Sequence, residues 1–189
     1  MEQMFDFCQG MCYTEKTAAQ ARKLTVLARI AGAFRRAEVT WALGASGLLY
    51  FHGQVPDFRD LDLMVLLPDA GRAQEVLSRL GTPLPLKAND PIYRTAVFRQ
   101  YRVDGVDADL MAGMAIERDG ILYDCSLRRE DIAGTVTVLG EAVPLHSLAC
   151  WRRYYALMGR EERAELLSHL PETPRNGGAY ARFQGTFPL

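Results

Sequence analysis

Long apolar runs, an excess of charge and a cysteine framework are all missing from this chain of 189 residues. No uninterrupted hydrophobic stretch approaches the ~20 residues that span a bilayer, and the start, Met1-Glu2-Gln3-Met4, carries an acid where a secretory leader carries bases. A soluble cytoplasmic protein with no membrane partner is expected. Lysine and arginine total 22 against 23 aspartates and glutamates, so a net charge of -1 supplies no global field for a polyanion. That excludes a histone-like or coat-like role and argues against a nucleic-acid partner, although it leaves room for a local basic cleft. Cys8, Cys12, Cys125 and Cys150 are too few and too scattered for a disulfide scaffold and form no C-x-x-C pair, so reduced thiols are expected. His52, His146 and His169 lie too far apart to suggest a metal cluster. There is no internal repeat, low-complexity tract, P-loop or Ser-His-Asp order.

What is present suits one domain with a small appendage: 49% hydrophobic residues can bury a sizeable core. From Thr14 to about Ala37, Ala21, Leu24, Leu27, Ile30, Ala31 and Phe34 recur at helical spacing between arginines and lysine, which predicts an amphipathic helix. VTWAL reads as a strand, Gly44-Ala45-Ser46-Gly47 as a tight turn, and the stretch through LLYF as a short helix. LDLMVLL is a buried strand and AGRAQEVLSRL a helix closed by Gly81. After the proline-broken TPLPLKANDP, alternation predicts hairpins turning at Asp104-Gly105 and Asp119-Gly120, with a third turn at Gly140-Glu141. Ser147 caps LACWRRYYALM, GREERAELLSHL follows as a last helix, and the tail PETPRNGGAYARFQGTFPL is rich in turn residues. The expected organisation is a core over 1–145 with a helical appendage over 146–189.

The chemistry-bearing residues lie between these elements. Asp60 and Asp62 open the LDLMV strand two residues apart, so strand alternation points both carboxylates one way. Paired acids repel unless cations neutralise them, and hard divalent ions such as Mg²⁺ prefer carboxylate oxygens. A third acid comes from VDADLM, where either Asp107 or Asp109 can stand beside the first two; three carboxylates suit a two-metal site. Gly44, between strand and helix, lets the backbone approach a ligand, and free N–H groups at the following helix start suit phosphate. Ser46 offers either a phosphate-binding hydroxyl or a helix cap. Arg152, Arg153 and Arg160 are basic residues of the late helical segment. Arg59 either balances the neighbouring acids or reaches a phosphate, while Arg94, Arg99 and Arg102 read as a solvated face. Trp41, Trp151, Tyr154 and Tyr155 read as packing residues.

Together, LGAS, RDLDLMV and VDADLM resemble the nucleotidyltransferase superfamily of the DNA polymerase beta type, and in style the small antibiotic-modifying and minimal members. The resemblance runs from about residue 40 to 111. It matches Gly44 to the motif glycine, Asp60 and Asp62 to the acid pair and Asp109 to the third acid, and it departs at Ala45, where many members have serine or glycine. It implies an α+β fold with a mixed β-sheet flanked by helices. It also implies two Mg²⁺ ions, an NTP donor whose triphosphate a late basic residue contacts, with Arg160 the candidate ahead of Arg152 and Arg153, a hydroxyl-bearing acceptor of unspecified identity, and transfer of a nucleoside monophosphate with release of pyrophosphate. The alternative is a catalytically silent nucleotide- or partner-binding module on the same fold, such as a toxin-antitoxin component.

Overall fold

A computed structural model describes residues 2–85 and 91–173, with side chains from Thr17 onward. The side chains of Cys8 and Cys12, part of TPLPLKANDP and most of the C-terminal tail lie outside that description.

The first helix, α1 (Glu2–Arg36), begins well before the expected Thr14. Its predicted apolar stripe is the buried one: Leu24, Leu27, Ile30, Ala31 and Phe34 sit in the core. Full burial of each large aliphatic or aromatic side chain contributes roughly 1.5–3 kcal/mol. Strand β1 (Trp41–Leu43) leads into the short helix α2 (Ala45–Phe51), followed by β2 (Leu61–Val65), α3 (Ala70–Leu80) and a two-residue β3 (Thr82–Pro83). The hairpin β4 (Val97–Val103) and β5 (Val106–Ala112) turns at Asp104-Gly105, both with positive φ (47° and 80°), as a type I′ turn requires. A second hairpin, β6 (Ala115–Arg118) and β7 (Ile121–Asp124), turns at Asp119-Gly120 in the same manner.

Strands β8 (Ile132–Val138) and β9 (Glu141–His146) form the third hairpin, where the register corrects the expected turn. Val138 pairs with Glu141, so the turn residues are Leu139 and Gly140, with φ of 48° and 84°, and not Gly140-Glu141. Glycine needs only one of the two left-handed positions, and Leu139 takes the other with its side chain in solvent. Helices α4 (Leu148–Leu157) and α5 (Glu161–Leu166) follow, and the Ser147 hydroxyl accepts from the Cys150 amide as the predicted cap.

Among the described residues, seven strands form one mixed sheet in the order β3-β4-β5-β2-β1-β9-β8, and β6-β7 stands apart as a ribbon. Strands β2 and β5 run parallel, as do β1 and β9, while the other neighbours are antiparallel. Helices α1 and α3 pack against the sheet, α3 burying Ala70, Ala73 and Leu77 beside Tyr101 and Val103 of β4. Strand alternation sends Phe98, Gln100, Asp109 and Met111 the other way, into a cleft also lined by residues of α4 and α5. This is the α+β architecture, a mixed sheet flanked by helices. No helix among the described residues is long and apolar enough to cross a membrane.

Candidate functional site

The cleft encloses about 630 Å³ and is lined by Ala45, Ser46, Asp60, Asp62, Asp109 and Arg160 among others. Its floor follows from register. Asp62 on β2 and Asp109 on β5 are direct Cα partners in the parallel pair, so their carboxylates leave neighbouring strands at the same level. Asp60 sits in the bend just before β2. The turn after β1 is tied to the same point, because the Gly44 amide donates to the Asp62 carbonyl at 2.9 Å.

Register also places the two candidates for the third acid differently. Asp109 faces Asp62, whereas Asp107 stands opposite Arg102 on β4 and accepts both Nε (2.5 Å) and Nη2 (3.0 Å) of that guanidinium. Asp107 does not line the cleft.

Crowding acids under a partly covered floor is costly, and the cost appears at Asp62. Burial, then the charges of Asp60 and Asp109, push its carboxyl up to about 8, with Arg59 and Arg160 opposing. Arg59 donates to Asp60 Oδ2 from Nε (3.0 Å) and Nη2 (2.9 Å) while itself standing out in solvent. Gln100, the Cα partner of Asp109 on β4, donates to Asp109 Oδ1 at 3.1 Å. With Asp60 and Asp109 turned toward these partners, no three carboxylate, imidazole or thiolate groups among the described residues form a ready coordination shell. The acids lining the cleft nevertheless bring hard oxygens from two strands and a loop, which fit Mg²⁺ in kind.

The glycine turn holds a surprise about its neighbour. Gly44 has an extended backbone, φ −116° and ψ −167°, and a Cβ placed there would meet the Trp151 ring at 2.3 Å. The approach that demands glycine is therefore that of the indole from α4. The left-handed residue is Ala45, at φ 42°. Ser46 makes no cap bond to α2; its hydroxyl is buried without a hydrogen-bond partner. Trp151 Nε1 and Gln100 Oε1 are likewise buried and unpartnered. These three buried polar atoms lie on residues lining one cleft, and such groups are expensive to bury unless a hydrogen-bond partner is supplied.

Arg160, at the start of α5, lines the cleft close enough for its charge to act on Asp62. Arg152 does not line it, and Arg153 instead bonds the Asp124 carbonyl at 2.8 Å. Arg94 pairs with Glu117 at 2.8 Å. Trp41 is a core residue, edge-on to Phe34. The reading of sequence missed Arg163, Gln100 and the cleft-facing part of Trp151 and Tyr155, all of which line the pocket. Only Gln100 left a signal, as a lone amide on the face of an alternating strand that also carries Phe98.

The loop leading to Asp60 is held from α1. Lys23 pairs with Asp57 at 2.6 Å, also bonds the Phe58 carbonyl, and lies 5.0 Å from the centre of the Phe58 ring.

No protein-family model and no curated protein matches the sequence. Solved structures do match by shape. A crystal structure of a Thermotoga maritima protein described as a nucleotidyltransferase superposes with a TM-score of 0.60 at 20% identity, covering 76% of this chain and 89% of that one. The solution structure of the antibiotic-resistance factor ANT(2'')-Ia gives 0.52 at 14% identity, over 78% of this chain and 83% of that one. ANT(2'')-Ia in complex with adenylyl-2''-tobramycin gives 0.51 at 12% identity, over 77% and 87%. With the glycine turn beside two acid-bearing parallel strands, the chain has the nucleotidyltransferase fold.

Proposed function

We propose that the protein is a metal-dependent nucleotidyltransferase that moves a nucleoside monophosphate from an NTP to an acceptor hydroxyl, with release of pyrophosphate. The observation that carries this reading is the parallel pairing of Asp62 with Asp109 directly below the Gly44 turn.

Asp60, Asp62 and Asp109 would hold two Mg²⁺ ions, for which Asp60 must turn away from Arg59, while Asp109 can keep Gln100 on Oδ1 and offer Oδ2. When bound, the ions neutralise the triphosphate and ease ionisation of the attacking hydroxyl. The chain's own residues do the rest. Asp109 takes the acceptor's proton as its oxygen forms a bond to the α-phosphorus and the bond from that phosphorus to the pyrophosphate oxygen breaks. The orphaned Ser46 hydroxyl and Trp151 indole N–H donate to phosphate oxygens. Arg160 and Arg163 balance the charge that builds on pyrophosphate, and the rings of Trp151 and Tyr155 keep water from the α-phosphorus. Positioning and charge neutralisation dominate such transfers.

The test is pyrophosphate release from each NTP with Mg²⁺ across a panel of hydroxyl compounds. Metal-dependent release that disappears in Asp60→Asn supports the enzyme. Nucleotide binding without release across the panel supports the silent module, and retained turnover in Asp60→Asn removes the site assignment.

A further inference from the structure

One face of the hairpin is a ladder of three cross-strand pairs, Arg102 with Asp107, Gln100 with Asp109, and Phe98 with Met111, of which the last two line the cleft. Polarity falls along it, from an ion pair at the turn, through an amide–carboxylate bond, to an aromatic–thioether pair, a contact favourable in its own right. Tyr93 and Met114 extend the apolar end. The cleft's arginines are elsewhere: Arg59 precedes β2, and Arg160 and Arg163 belong to the segment at and within α5. Phosphate charge therefore has its partners on one side, and the β4–β5 side is left for something that is not phosphate.

We propose that this β4–β5 wall binds the acceptor as a neutral hydroxyl compound with one apolar face, laid against Phe98 and Met111, and that Gln100 Oε1 accepts a hydrogen bond from it. The proposal rests on the nucleotidyltransferase reading of the cleft. Two observations carry it. First, Gln100 Oε1 is buried without a partner, and its orientation is set chemically: the Nε2 amide must face the Asp109 carboxylate, so the oxygen must face away. A buried lone acceptor is matched by a ligand O–H or N–H. Second, the apolar end has no carboxylate among its described residues. The cleft's acids lie elsewhere: Asp57 pairs with Lys23, and Asp60, Asp62 and Asp109 are the residues proposed to hold the ions. An amino sugar bearing several ammonium groups would find no partners for them there, and unpaired buried charge is strongly disfavoured.

The test uses the intact chain loaded with a non-hydrolysable ATP analogue and Mg²⁺, titrated calorimetrically with phenyl β-D-glucopyranoside and with kanamycin. The glucoside should bind and kanamycin should not. Phe98→Ala should weaken glucoside binding about tenfold or more, the usual size for a lost hydrophobic pocket contact, with nucleotide affinity unchanged. Gln100→Glu, which places a second anion beside Asp109, should reverse the preference toward kanamycin. Tighter binding of kanamycin to the unaltered chain, an unchanged glucoside affinity in Phe98→Ala, or no glucoside binding beside a bound nucleotide each overturns the acceptor proposal alone. Failure of the nucleotide itself to bind overturns the nucleotidyltransferase reading and the acceptor proposal with it.

Discussion

Gly44 and Asp62 are joined by a backbone hydrogen bond of 2.9 Å, so the turn that ends β1 cannot move without moving the strand that carries the central carboxylate. Functional consequences of that coupling are open to mutation.

Asp62→Asn and Asp109→Asn should each lower transfer by roughly a thousandfold or more, because each removes a carboxylate charge proposed to hold the ions that neutralise the transferring group. Asp107→Asn should leave turnover within a few fold, since its carboxylate is engaged with Arg102 outside the cleft. Single-turnover assays on the three variants, with circular dichroism to verify folding, decide the matter. Equal losses at Asp107 and Asp109 would contradict the register argument.

Gly44→Ala drives a methyl into the Trp151 ring, and overpacking of this kind costs about 1–3 kcal/mol. Thermal unfolding should show the loss, and Gly44→Ala combined with Trp151→Leu should be less destabilised than the sum of the single changes.

Ala45 occupies a left-handed conformation that glycine adopts without steric cost. Relief of that strain in Ala45→Gly outweighs the added freedom of the unfolded chain. A stabilisation of about 0.5–1 kcal/mol is expected by denaturant titration.

His146 is wholly buried, its ring edge-on to Trp151 and Tyr154. Burial lowers its pKa from 6.5 to about 4, against the opposing charge of Asp131. Between these values the unfolded chain holds a proton that the folded chain does not. The His146 contribution is therefore complete above pH 6.5 and is lost as the pH falls toward 4. The full window corresponds to about 3 kcal/mol. His146→Phe should flatten this limb of a stability–pH curve measured with urea; an unchanged slope would exclude His146 as its source.

Glu172 caps α4 from beyond α5: its carboxylate accepts from the Leu148 amide (2.7 Å), the Ala149 amide (3.1 Å) and the Ser147 hydroxyl (3.0 Å). An anion at a helix N-terminus with these bonds contributes about 1–2 kcal/mol. Glu172→Ala should lower the melting temperature accordingly and loosen Trp151, seen as a change in its fluorescence.

Much of this was legible before any coordinates. Asp104-Gly105 and Asp119-Gly120 sit between alternating runs, and two adjacent positive-φ positions leave few other turns available to such pairs. Ser147 precedes an apolar-periodic segment and caps it. The turn at Leu139-Gly140 was displaced by one residue in the reading, because a lone glycine does not say whether it is the first or second turn position. The choice between Asp107 and Asp109 was illegible for a related reason: residues two apart in a strand share a face, so alternation cannot separate them.

Local sequence thus determined the elements and the chemical inventory, because periodicity, turn geometry and capping act over a few residues. Which acids stand at paired strand positions, that Trp151 presses on Gly44, and that a Gln100 oxygen is buried without a partner on a cleft-lining residue were decided only in three dimensions. Those contacts join residues far apart in the chain, and their partners are selected by strand register and helix packing, which no local pattern encodes.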